Sequence, residues 1–180
     1  MLVEYFRKMK GSTQSPPMVS VREILLSWAG GVIGIATVVF LNDHFVAGTG
    51  RLLVIASFGA SAVLIFGAIK SPFAQPRNLV GGHVLSALVG VTVFKILHPV
   101  PWLAAGVAVG TAIAVMHATK TVHPPAGATS LIPVISGPKI QALGYSYALL
   151  PVAAGALILL IVALVFNNIP KTRKYPEYWI

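Results

Sequence analysis

The sequence has no cysteine and very little acid: 4 Asp and Glu stand against 13 Lys and Arg in 180 residues. Without cysteine, disulfides, thiol redox chemistry and Cys-ligated metals are excluded. Charged residues of both signs make up only 9% of the chain, where a soluble domain carries about 25%. So few charges cannot coat a water-facing surface of this size. With 56% hydrophobic residues and a mean hydropathy of +0.84, the surface must face lipid. Catalytic signatures are also missing: there is no Gly-x-Ser-x-Gly, no His-Glu-x-x-His and no P-loop. Gly48-Thr49-Gly50 starts a dinucleotide-like string but lacks its third glycine. Neither an enzyme nor a cofactor is expected. The N-terminus lacks the basic, apolar, small-residue order of a cleaved signal peptide.

What is there is a series of apolar runs. A helix needs about 20 apolar residues to cross a bilayer core. Five runs qualify: Ile24–Leu41, Leu52–Ile69, Gly81–Leu97, Trp102–Thr119 and Leu149–Ile169. Gly30/Gly34 and Gly106/Gly110 have the GxxxG spacing that lets helices approach closely. A sixth run, His123–Ser136, is shorter and carries Pro124, Pro125 and Pro133. Short, proline-broken segments often mark a transporter's substrate site. Counting basic residues tests whether this run crosses. If it does, ten lie on the side of the N-terminus and three on the other; if not, eight and five. The positive-inside rule favours the former. Six crossings with both termini cytoplasmic are therefore expected.

The net charge of +9 sits between or beyond these runs, as at Arg7, Lys8, Lys10, Lys171, Arg173 and Lys174. Anionic lipid headgroups would meet it there, and no nucleic-acid partner is expected. The organisation reads as a polar tail over 1–22, one membrane domain over 23–170 and a basic tail over 171–180.

The chain also echoes itself. Gly59-Ala60-Ser61 is matched 68 positions later by Gly127-Ala128-Thr129, each followed by apolar residues. Three spans then follow three, about 24–97 and 102–169, and an odd number per repeat inverts the second half. The fold class expected is an all-α integral membrane protein of six segments in a 3+3 inverted repeat, with helices broken around Gly59 and Pro124. A half-helix starting inside the membrane offers free N–H groups and a positive dipole end. β-branched Arg51–Phe58 would run extended before Gly59. Pro124 and Pro125 suit a first helical turn. A pocket for a small anion is expected at Gly59, Ala60, Ser61, Gly127, Ala128 and Thr129.

Three stretches carry a family resemblance: ASFGASAVLIF (56–66), SPFAQPRNLVGGHVLSALVG (71–90) and MHATKTVHPPAGATSLI (116–132). Together the chain resembles the HPP family of small integral membrane proteins, named for its His-Pro-Pro motif. Phe73 stands where a Leu is common there, and Ser130 where an Ala is common. The resemblance implies a transporter, with nitrite transport linked to some members. It implies no fixed binding residues, so roles come from the residues themselves.

His123, at the mouth of the second half-helix, is an anion contact, a proton acceptor or an N-terminal cap. His83 lies in the apolar zone, where ionisable groups are costly and often functional. Gln75, Arg77 and Asn78, with Pro124 and Pro125, form a gating or motif cluster, or simply cap a helix. Asp43 and Glu23 lie at span ends, so no buried carboxylate awaits a cation. No His-x-x-x-His spacing occurs, and no metal is expected. The function expected is a transporter or channel for a small inorganic anion in a bacterial inner membrane, possibly assembled as a homo-oligomer. The alternative is a non-transporting scaffold or sensor subunit.

Overall fold

The computed structural model describes residues 2–11, 13–46 and 54–180. Among these, every regular element is helical. A short helix, α1 (Leu2–Lys8), precedes α2 (Val21–Leu41). Ser20 caps α2, its Oγ accepting from the Glu23 N–H at 3.2 Å. This satisfies one of the donors that a helix start leaves unpaired. A π-helical turn carries α2 on to Val46. Next come α3 (Ser57–Ala62), prolonged by a π turn to Gly67, and α4 (Gly82–Leu97), preceded by a π turn over Arg77–Gly81. After α5 (Pro101–Ala118) and α6 (Pro124–Ile135) come the single turn α7 (Pro138–Gln141) and α8 (Ala154–Asn168), the last entered through a π turn from Ala148.

Four helical stretches among the described residues are long and apolar enough to cross a membrane: Val21–Val46, Arg77–Leu97, Pro101–Ala118 and Ala148–Asn168. The run expected over Leu52–Ile69 is helical only over Ser57–Gly67. Residues 47–53, with Arg51 and Gly48-Thr49-Gly50, lie outside the described residues. The helix starts at Ser57 rather than at Gly59, because the N–H groups of Phe58 and Gly59 already bond the carbonyls of Ile55 and Ala56. At about 1.5 Å per residue, the 12 residues of α6 reach about 18 Å, short of the roughly 30 Å hydrocarbon core.

Two ends of the bundle can be told apart. Beyond α8, Arg173 bonds Glu23 at the start of α2, with Nη2 to Oε1 at 2.5 Å. Asn167, in the last turn of α8, donates to the Ile65 carbonyl near the end of α3. These mark the near end. At the far end of α4, Tyr145 meets Thr92 at 3.1 Å and lies under the Lys95 ammonium.

One residue of the basic tail does not meet lipid headgroups. Arg173 is buried, and its guanidinium also reaches Asn167 Oδ1 and Ser27 Oγ. A charge in an apolar surround is tolerated only when paired and hydrogen-bonded, and these partners meet that condition for Arg173. The following residues strap the 71–76 loop. Tyr175 OH donates to the Ala74 carbonyl, Tyr178 OH to that of Pro72, and the Glu177 N–H to Gln75 Oε1. Burial pushes the Tyr175 phenol well above its ordinary pKa, so it stays a donor.

The two GxxxG pairs behave differently. A Cβ on Gly30 or Gly34 would come within 2.6 Å of the Phe66 ring, so this pair seats Phe66. Gly106 and Gly110 face open space. A tighter approach lies elsewhere: a Cβ on Gly90 would lie 2.2 Å from the Ser130 carbonyl oxygen, where α4 crosses α6. Backbone cannot yield there as a side chain can. Gly90→Ala should cost about 1–3 kcal/mol through overpacking, whereas Gly106→Ala should stay within about 0.5 kcal/mol of wild type. Thermal unfolding in detergent reads both, and equal midpoints would contradict this account of the crossing.

Candidate functional site

Five polar side chains meet where α3, α4 and α6 converge. Ser57, Ser61, His83, His123 and Thr129 are all at most 2% exposed. Ser57 Oγ lies 2.8 Å from Thr129 Oγ1, which lies 2.7 Å from His83 Nδ1. The other ring nitrogen, His83 Nε2, is 2.7 Å from Ser61 Oγ. Ser61 Oγ is in turn 2.9 Å from His123 Nε2, and His123 Nδ1 is 2.7 Å from the Phe73 carbonyl. The two rings stand 4.9 Å apart. Apolar surroundings make each unmade hydrogen bond expensive, and here each of the five side chains has partners. One neighbour does not: Ser86 Oγ, one turn beyond His83 on α4, is buried without a partner.

Backbone chemistry brings these groups together. Pro133 has no N–H, so the Thr129 carbonyl four residues earlier loses its helical donor. Tyr147 OH replaces it at 3.2 Å. α5 ends in a Schellman turn: Lys120 has φ +56°, and the N–H groups of Thr121 and Lys120 return to the carbonyls of Met116 and His117. That reversal sends residues 121–123 back along the start of α4. A Cβ on Gly82 would lie 2.7 Å from His123 Cβ, and one on Gly81 would lie 2.8 Å from Thr121 Cγ2. The Gly-Gly-His sequence therefore makes room for the strand it faces. Arg77 Nη2 donates to the Thr119 carbonyl at 2.6 Å and Asn78 Nδ2 to that of Val122 at 2.8 Å. Gln75, fully buried, donates to the carbonyls of Ile69 and Ser71.

Residues 16–176 match the family described as the HPP transmembrane region. The chain belongs to the HPP transmembrane family. It is 44% identical over 98% of its length to one Dictyostelium discoideum protein and 39% identical over 99% to another, both named only as transmembrane proteins. It spans 58% and 64% of those relatives' own lengths. No solved structure matches. The HPP assignment and the apolar helices together make this an integral membrane protein. Both relatives are eukaryotic, so the expected bacterial inner membrane finds no support in them.

In the HPP motif itself, His123 is the residue before α6, and Pro124 and Pro125 fill its first two positions. Neither proline has an N–H, and the Ala126 N–H bonds the His123 carbonyl at 2.8 Å. The free N–H groups expected at this helix start are therefore absent. The structure brings together Ser61, His83, His123 and Thr129 of the expected site. It leaves Gly59, Ala60 and Ala128 exposed on outer faces, with Gly127 half-buried, because the i→i+4 register that turns Ser61 and Thr129 inward turns these outward. Gln75, Arg77 and Asn78 hold loops by their carbonyls rather than lining the polar core. A cavity of about 440 Å³ does open at the near end, but its lining, including Glu23, Lys70 and Arg173, shares no residue with that core.

Sequence reasoning missed Ser57, Tyr147 and Asn167. Ser57 and Asn167 each carried a usable signal, a polar side chain within an otherwise apolar run. Thr129→Val preserves shape but strands Ser57 Oγ and His83 Nδ1, each at about 1–3 kcal/mol. Thr129→Ser keeps the hydroxyl. The valine variant should unfold in detergent at a clearly lower temperature than the serine variant; parity would mean that the Thr129 hydroxyl contributes nothing.

Proposed function

We propose that the chain is a transporter, not an enzyme, that carries a small inorganic anion through the polar core formed by α3, α4 and α6. The supporting observation is the buried cluster of Ser57, Ser61, His83, His123 and Thr129 at the starts of two short helices. Such polarity inside a lipid-facing bundle is costly and usually functional. Ser57 opens α3 and His123 precedes α6, so the cluster lies beside two helix starts. Binding would rest on hydroxyls and imidazoles, which suits a small monovalent anion better than a phosphate ester. The unpartnered Ser86 hydroxyl adds a donor one turn away. Nitrite is the substrate we favour within this class.

The arrangement we propose is six segments in a 3+3 inverted repeat. Long, short and long elements (α2, α3, α4) are followed by long, short and long (α5, α6, α8), and both third elements begin with a π turn. Ser61 and Thr129, 68 positions apart in the echo, both bond His83. The shared near end of α2 and α8 supports an even number of crossings, and the excess of basic residues on that side is our reason for placing both termini in the cytoplasm.

Two experiments test this reading. In liposomes holding the purified protein, uptake of nitrite, nitrate, formate and chloride should separate at least one anion from protein-free vesicles. Ser61→Ala should cut that flux about tenfold, the worth of one hydrogen bond to a charged ligand. No flux of any of the four would sink the proposal and favour a scaffold. For topology, a reporter at Gly137 should report the side opposite to both termini, and a signal on their side would rule out six crossings.

A further inference from the structure

The hydrogen-bond polarity of the polar core leaves little choice. The Phe73 carbonyl only accepts, so His123 carries its proton on Nδ1. Neutral His123 then accepts at Nε2, and its partner there, Ser61, must donate. Ser61 has one hydrogen, so His83 must donate to it from Nε2. Neutral His83 accordingly accepts at Nδ1 from Thr129. Thr129 has then spent its hydrogen and accepts from Ser57. With both imidazoles neutral, one assignment satisfies all five bonds, and every donor points from Ser57 toward Phe73.

Two consequences follow. In the neutral state none of the five bonded groups has a donor left for an anion, because each of their O–H and N–H hydrogens is committed. One added proton changes that. Placed on His123 Nε2, which accepts from Ser61 in the neutral core, it leaves the hydrogens of Ser57, Thr129 and His83 undisturbed. His123 ends as an imidazolium. Nε2 of His83 keeps its hydrogen, so the core gains one proton and every other hydrogen stays on the atom that held it. Both rings then donate to Ser61, whose own O–H is released toward the Ser57 carbonyl 3.2 Å away, or toward a ligand. A cationic ring and a free hydroxyl appear together where neither stood before.

We propose that the site takes up its anion only together with a proton, as an anion–proton symporter. This rests on the transport reading above. The ionisable groups bonded in the cluster are His83 from α4, His123 ahead of α6 and Tyr147 ahead of α8; α3 and the Pro72–Ala74 turn add none. No carboxylate competes for the proton: among the described residues no three His, Asp or Glu gather. The stoichiometry is one proton and one monovalent anion, with nothing oxidised or reduced.

The test uses the full chain in liposomes that contain a pH-sensitive dye, with the membrane potential clamped by potassium and valinomycin. Nitrite is the probe, and protein-free vesicles correct for nitrous acid that crosses unaided. Added nitrite should acidify the lumen in step with its own uptake. An inside-alkaline gradient of one pH unit should raise steady-state accumulation about tenfold. His83→Gln and His123→Gln keep a donor and an acceptor but cannot hold the extra proton, so each should abolish protein-dependent acidification. Gel filtration checks that both variants fold. Protein-dependent uptake indifferent to the gradient and unaccompanied by protons would overturn the coupling while leaving a transporter. Wild-type acidification in both glutamine variants would overturn it too. Absence of uptake under every gradient would overturn the transport reading, and the coupling with it.

Discussion

A short helix that stops inside a bilayer leaves polar groups where no water can reach them, and the structure is arranged around closing those ends. Ser61 is the meeting point. Its hydroxyl joins α3 to the imidazole of α4 and to the imidazole ahead of α6. With the Thr129 hydroxyl, which bonds Ser57 and His83, it ties the same three segments together twice. The Gly-Gly-His sequence, the Schellman turn at Lys120 and the clamps from Arg77 and Asn78 all deliver His123 to this position. Pro133 frees the Thr129 carbonyl, and Tyr147 bonds it to hold α6 from the other flank.

A second polar system closes the near end. Arg173 brings one charge into an apolar surround and finds Glu23, Ser27 and Asn167 waiting. Its neighbours Tyr175, Glu177 and Tyr178 bind the loop whose Phe73 carbonyl accepts from His123. The end of the chain is therefore two hydrogen-bonded steps from the polar core.

Much of this was legible in the residues. Scarce charge and long apolar runs announce a membrane bundle, because composition alone decides which solvent a surface can face. The short, proline-rich character of His123–Ser136 pointed to the segment that now carries α6. Ser61, His83, His123 and Thr129 were readable as polar residues that apolar runs do not discard lightly. The expected role of Gly59, Ala60 and Ala128 failed because helical phase, not local openness, decides which side chains turn inward. The free N–H groups imagined at the helix starts failed because hydrogen bonds from Gly59 and Ala126 to upstream carbonyls are invisible in a sequence. Arg173 was misplaced for a related reason: its partners lie up to 150 positions away, and a basic residue near a terminus looks solvated until they are found.

Gly90 sets a length that the rest of the core depends on. Because α4 meets the Ser130 backbone there without any side chain between them, the separation of the two helices is as small as main-chain atoms permit. Thr129, the next residue along α6, inherits that separation as the 2.7 Å span between its hydroxyl and His83. The glycine thus acts as a gauge block: a residue that binds nothing sets the tolerance of a bond it never touches.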